Sequence, residues 1–272
     1  MTRIDYVAQP PTSFPFRDLL VLERLGVGPD DDVCEIGVGS GATTARLARL
    51  CASITGFEIS APTLDALRYL ERRHANLRFV VADVTAPDAL VPYAGAFTTL
   101  VSCDTLEHVV DPAAFFRAVA TLLRPGGKLL VTFPNEPRER MHGITRFDRA
   151  ADLRALVEGA GLVDVEIAVT RLAPAPARVA DSLGWKPLAL ARRVLHRAPA
   201  PGEAAAAPQK FDETRFFQRM RRLRPLAPGI NLYWWGVLRA MDAFGPCFEV
   251  DASPDEATFR DAQVLVTGRR GA

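Results

Sequence analysis

Three glycines and three acids in the first third of the chain have the types and spacing to bind a nucleoside carrying charged groups. Glu35, Gly37, Gly39, Ser40 and Gly41 stand together in Glu35-Ile36-Gly37-Val38-Gly39-Ser40-Gly41-Ala42. Glycines at a turn let a ligand come close to the backbone. The free N–H groups at the start of the helix expected after them favour a carboxylate or phosphate, and Glu35 could meet an ammonium group. Glu58, followed by Ile59, is placed to accept both hydroxyls of a ribose, and Asp83, followed by Val84, to reach an adenine. Asp104 faces the ligand or caps a helix. Of the four histidines, His108 and His142 lie where a base could act, whereas His74 and His196 read as surface positions.

These residues need a scaffold that brings loop ends to one place, and the pattern from Asp32 to His142 supplies it. Short β-rich runs alternate with helical runs. Strands are expected over 33–37, 52–57, 77–82, 97–103 and 128–133. Helices are expected over 42–50, from Ser60-Ala61-Pro62 to about Arg73, and from Asp111-Pro112 to the stop at Arg124-Pro125-Gly126-Gly127. A helix over 148–160 and a sixth strand over 162–170 continue the series, and a strand over 262–268 stands apart. Such alternation predicts an α/β fold, a doubly wound, mostly parallel sheet covered on both faces. Ligands of such sheets lie at the carboxyl ends of the strands, where Glu35, Glu58 and Asp83 are expected to converge.

Gly37-x-Gly39-x-x-Ala42 also satisfies the relaxed dinucleotide fingerprint, so a nicotinamide-binding oxidoreductase is an alternative. Against it stand the acid ahead of the glycines, the lack of any Tyr-x-x-x-Lys pair, and the isolated terminal strand. The ordered set of motifs resembles the class I S-adenosylmethionine-dependent methyltransferases, in the small-molecule group that includes ubiquinone-biosynthesis O-methyltransferases. Glu35 to Gly41 is similar to their first motif and Glu58 to the ribose-binding acid. Val81-Ala82-Asp83-Val84 matches the adenine-side motif, Ser102 to Val109 the segment after the fourth strand, and Leu123 to Val131 the loop into the fifth. The resemblance covers about residues 30–170 plus the last strand. It implies S-adenosyl-L-methionine as methyl donor, held by Glu35, Gly37, Gly39, Ser40, Gly41, Glu58, Ile59, Asp83, Val84 and Asp104. It also implies a seven-stranded Rossmann-like sheet with the last strand antiparallel between the fifth and sixth. Thr98 departs from the Asp frequent there, and Val38 from a frequent Cys.

Methyl transfer is an in-line displacement that needs alignment and a dry pocket. A hydroxyl acceptor needs a base as well, and an amine does not. His108 or His142 is expected to take that proton. The acceptor is expected to be a small hydrophobic or aromatic metabolite methylated on oxygen. Methylation of nitrogen or carbon in a lipid-like or carrier-bound substrate is an alternative, as is a non-catalytic cofactor-binding scaffold at a membrane.

Between 171 and 261 the alternation is lost, which divides the chain into a methyltransferase domain (1–170 plus 262–272) and a largely helical insertion. Residues 171–230 hold 12 Lys and Arg against 4 Asp and Glu, although the formal net charge of the chain is only +1. The near-neutral whole gives no field for nucleic acid. A basic amphipathic run over 185–197 and the aromatic segment Leu232 to Leu238 suit a lid, or peripheral contact with an anionic membrane through 185–240. Four scattered cysteines offer no metal-ligand spacing and fit a reducing compartment. Met1 to Pro11 lacks the apolar stretch of a signal peptide, and no apolar run reaches the ~18 residues of a membrane span. A cytoplasmic protein is therefore expected, with peripheral contact at the inner membrane face as an option.

Overall fold

The structure, a computed structural model, describes residues 24–138, 141, 143–187 and 224–272. They fall into two units, residues 24–171 with 250–272, and Leu172–Glu249.

The first unit carries the sheet. β1 (Asp32–Ile36), β2 (Ser53–Glu58), β3 (Leu77–Val81), β4 (Phe97–Cys103), β5 (Leu123–Asn135) and β6 (Leu162–Leu172) alternate with four helices, α1 (Ala42–Leu47), α2 (Ala61–Glu71), α3 (Pro112–Leu122) and α4 (Ala150–Gly159). β1 pairs in parallel with β2 and β4, β2 with β3, and β4 with β5. The late strand β8 (Ala262–Arg270) lies antiparallel between β5 and β6.

The strands bury both faces, which explains their nearly unbroken apolar runs. Alternation sorts the side chains. Cys34, Ile36, Leu129, Val131, Phe133, Val264 and Val266 join Phe115, Phe116, Val119, Leu153 and Val157 in one core. Val33, Val101, Leu130 and Leu265 join Ala45, Leu47, Leu64, Leu67 and Leu70 in the other. Ser60 caps α2 through Thr63 and Asp111 caps α3 through Ala114, so both expected helix starts carry a side-chain bond.

Three boundaries differ from the sequence reading. β5 begins at Leu123, so the strand runs through Arg124-Pro125-Gly126-Gly127, with a register shift against β4 between Phe97 and Thr99. A bulge of this kind accommodates a proline, which donates no hydrogen bond to the ladder. An eighth strand, β7 (Phe248–Asp251), joins the sheet beyond β6, in the order β3-β2-β1-β4-β5-β8-β6-β7. Residues 250–261, expected in the insertion, cluster with the sheet unit. There the short helix Glu256–Phe259, capped by Asp255, drops the fully buried Phe259 into the first core.

In the second unit α5 (Pro174–Val179) runs into a wide turn over Ala180–Trp185, and α6 spans Ala227–Asp242. Trp185 and Trp234 pack edge to face at 5.9 Å. Gly184 lies against the Trp234 ring, where a Cβ would come within 2.8 Å. The basic run over 185–197 lies largely outside the described residues. No helix among the described residues is long and apolar enough to cross a membrane.

Candidate active site

The turn after β1 is shaped by what its glycines avoid. Gly37 has φ 77° and stands against Thr105, so that a Cβ would overlap the threonine hydroxyl. Gly39, at φ 52°, has nothing near its missing side chain, so its backbone opens outward. Both conformations are costly for residues with a Cβ. The turn is closed beneath by bonds from Gly37 N to Phe57 O (2.9 Å) and from Gly41 N to Val38 O (2.9 Å). α1 starts at Gly41 without any side chain bonded to its first amides.

Glu58, the last residue of β2, is half-buried beside this turn. Its Oε2 accepts from Gly39 N at 3.3 Å and its Oε1 from Ser60 N at 3.2 Å. A carboxylate has about four acceptor positions, so each oxygen keeps capacity for a further donor such as a ribose hydroxyl. The next residue, Ile59, is 68% exposed, a flat apolar surface at the same strand end. Asp83 is exposed two residues beyond β3. Its Oδ1 accepts from Thr85 N (2.9 Å) and Thr85 Oγ1 (2.6 Å), which fixes the carboxylate at the rim. Val84 instead turns inward, into the core. Ser40 is half-buried in the turn.

Glu35 does not open to the rim with the other acids. It is 3% exposed, and its carboxylate accepts a hydrogen bond from the Thr44 hydroxyl on α1. Strand alternation explains this, because Glu35 lies on the face of Val33, which α1 covers.

After β4 the chain turns sharply. Asp104 has φ 50°, a conformation uncommon outside glycine and often found at functional sites. Its N–H donates to Thr132 O (2.8 Å) and its Oδ1 accepts from Gln263 Nε2 of β8 (2.8 Å). Gln263 was not legible as a site residue, since its link to Asp104 depends on where β8 inserts. A single helical turn, Leu106–His108, follows. His108 is exposed, with Nε2 3.7 Å from the buried Glu107 carboxylate. The Glu107 carbonyl accepts from the N–H groups of Ile144 (2.7 Å) and Thr145 (3.0 Å), and Thr145 Oγ1 donates to Val109 O (2.6 Å). These bonds hold the segment after β5 against the one after β4. His142 lies outside the described residues.

Asn135 ends β5 fully buried. Its amide nitrogen donates to Phe147 O and Phe259 O, while its oxygen accepts from Phe147 N. No signal in the sequence marks this residue except its place at a strand end. Among the described residues no three His, Cys, Asp or Glu side chains gather as a metal site.

The open glycine turn, the spare capacity of Glu58, the apolar Ile59 and the rim carboxylate of Asp83 fit a nucleoside with a charged tail, the shape of S-adenosyl-L-methionine. Comparison with known proteins agrees with this reading. The profile of a family described as a methyltransferase domain matches residues 34–131. The chain is 38% identical over 97 residues to the ubiquinone biosynthesis O-methyltransferase of Albidiferax ferrireducens, a match covering 35% of this chain and 38% of that protein. The enzyme of the same name from Sodalis glossinidius is 29% identical over 171 residues, covering 56% of this chain and 68% of that protein. This chain thus spans well under half of the first relative's length. Among solved structures, phosphoethanolamine N-methyltransferase 2 of Haemonchus contortus, in complex with S-adenosyl-L-methionine, superposes with a TM-score of 0.57 at 15% identity. That match covers 97% of this chain and 54% of the other, a likeness of fold.

Proposed function

We propose, on the premise that residues 34–131 are a domain of the class I S-adenosylmethionine-dependent methyltransferases, that the chain transfers a methyl group to a small-molecule acceptor. The acceptor is a hydroxyl oxygen of a hydrophobic or aromatic metabolite. The observation that carries the reading is Glu58, whose two oxygens each hold one backbone N–H of the strand-end loops and each keep room for a ribose hydroxyl.

S-adenosyl-L-methionine supplies a methyl carbon on a positive sulfur. The chain's own residues do the remainder. The Gly37–Gly41 backbone receives the charged tail, Glu58 orients the ribose, and Ile59 and Asp83 flank the adenine. Asp104, held by Gln263 and its own strained backbone, borders the acceptor side. His108 takes the hydroxyl proton. It is exposed enough to pass that proton to solvent, and its Nε2 lies 3.7 Å from the Glu107 carboxylate. His142 is the second candidate for this step.

The O-methyltransferase names of the matched relatives support oxygen as the acceptor atom. The ubiquinone-biosynthesis part of those names supports an apolar acceptor, and the second unit exposes Leu183, Trp185, Leu232, Tyr233 and Phe244. With the basic excess of residues 171–230, the same side chains suit contact with an anionic lipid surface at the inner face of the membrane, reached from the cytoplasm. The second unit, Leu172–Glu249, then serves as the dock.

The test is incubation of the purified chain with methyl-labelled S-adenosyl-L-methionine and extract of the source organism, followed by phase separation. Enzyme-dependent label in the organic phase is the expected result. Label confined to the aqueous phase would overturn the hydrophobic acceptor. Cofactor binding without label in either phase would favour a non-catalytic scaffold.

A further inference from the structure

We propose that Thr44 is a positioning residue for the methyl donor, acting through Glu35 to hold the glycine turn in its binding shape. The proposal rests on the reading of the crevice as an S-adenosyl-L-methionine site, and adds to it a residue that does not touch the donor.

The turn from Gly37 to Gly41 has no side chain beyond a valine and a serine with which to fix itself, and its glycines widen the conformations open to it. Two carboxylates brace it instead. On the outer side Glu58 accepts from Gly39 N. On the inner side Glu35, the residue before the end of β1, accepts from Thr44 Oγ1 in the first turns of α1. The inner bond spans the whole turn, tying the strand that enters it to the helix that leaves it.

Both inner groups are out of water, Glu35 at 3% and Thr44 at 0% exposure. A buried carboxylate must be hydrogen-bonded to remain charged, and bonds to charged groups are stronger than neutral ones. Threonine in a helix divides between two χ1 rotamers, and the bond to Glu35 selects the one that aims the hydroxyl at the strand. Valine at 44 would keep the shape and remove the donor. The strand end and helix start would then lose the bond that ties them together. Donor affinity would fall because the turn amides no longer stand preorganised.

Isothermal titration with S-adenosyl-L-methionine and S-adenosyl-L-homocysteine tests this on the full chain. Thr44→Val is expected to weaken both about tenfold, and Thr44→Ser, which keeps the hydroxyl, to bind within about twofold of the parent. Wild-type affinity in Thr44→Val overturns the proposal. So does an equal loss in Thr44→Ser, because the methyl packing would then be the cause. If the valine variant does not fold, Thr44→Cys reads the same bond with a weak donor of similar size. Intermediate affinity supports the role and full affinity overturns it. A parent chain that binds neither compound removes the donor-site reading itself, and this proposal with it.

Discussion

The two ends of the sheet both carry buried or half-buried acids, and they use them differently. At the amino end Asp31 accepts from Gly28 N (2.9 Å), Thr98 Oγ1 (2.7 Å), Thr99 Oγ1 (3.0 Å) and Lys128 Nζ (3.4 Å). Four donors fill the capacity of one carboxylate. At the carboxyl end Glu58 holds one N–H on each oxygen and keeps the rest open. The first arrangement ties loops together, and the second leaves acceptor capacity facing a crevice. Saturation, more than the mere presence of acids, therefore distinguishes a structural cluster from a binding one in this fold.

The sharpest way to break that comparison is Glu58→Ala. Losing two hydroxyl bonds to a charged acceptor is expected to weaken S-adenosyl-L-methionine by about 100-fold or more, measured by calorimetry, with little change in melting temperature. Unchanged affinity would place the ribose elsewhere. His108→Ala is expected to lower turnover about 100-fold at saturating donor without altering donor affinity. A pH–rate profile that keeps its acidic limb in this variant would assign the proton to another group.

Asp31→Ala is the mirror experiment. Four donors lose their acceptor, so stability should fall by about 2 kcal/mol, read by urea unfolding, while donor affinity stays at the parent value. Burial alone would raise the Asp31 pKa. The Gly28 N–H, the Thr98 and Thr99 hydroxyls and the Lys128 charge outweigh it, and the value is lowered. The folded value is thus below the unfolded one, and the stabilisation is complete above the usual aspartate range near ~4. It is lost as pH falls through the lower folded value, so the stability gap between parent and variant should close in acid. The smallest expected effect lies between the two ends. Burial pushes the Cys51 thiol up to about 12 and raises that of Cys34 further from reactivity. Neither should react with a thiol reagent at pH 8 until the chain is unfolded.

Much of this was legible in the residues. The glycine turn, the strand-end acids and the caps at Ser60 and Asp111 rest on local chemistry, and local chemistry is written in sequence order. The inward turn of Glu35 has a local basis too, since the parity that puts Val33 under α1 puts Glu35 there as well. Asp104 and Gln263, by contrast, meet only because β8 inserts beside β5, a long-range event with no local signature. The strand through Pro125 and Gly126 was hidden for the opposite reason. Its composition signals a turn, and the paired residues on either side, Leu123 against β4 and Lys128 onward against β4 and β8, carry the strand through it as a bulge. Thr98, a departure from the resembled family, also has a local logic, because a carboxylate there would face that of Asp31.

The placement of β8 has a consequence for the order of assembly. Its neighbours β5 and β6 are both made long before it; β5 must wait with one ladder of backbone groups unpaired, and β6, whose other neighbour β7 is also made later, with both. The parallel half, β1 to β5, can collapse on its own cores while the chain is still growing. The centre of the sheet closes only when Ala262–Arg270 arrives and is received by two edges at once. Until then those edges are open to any passing strand, so the nascent chain is most exposed to mispairing in the interval during which the second unit, Leu172–Glu249, is being synthesised.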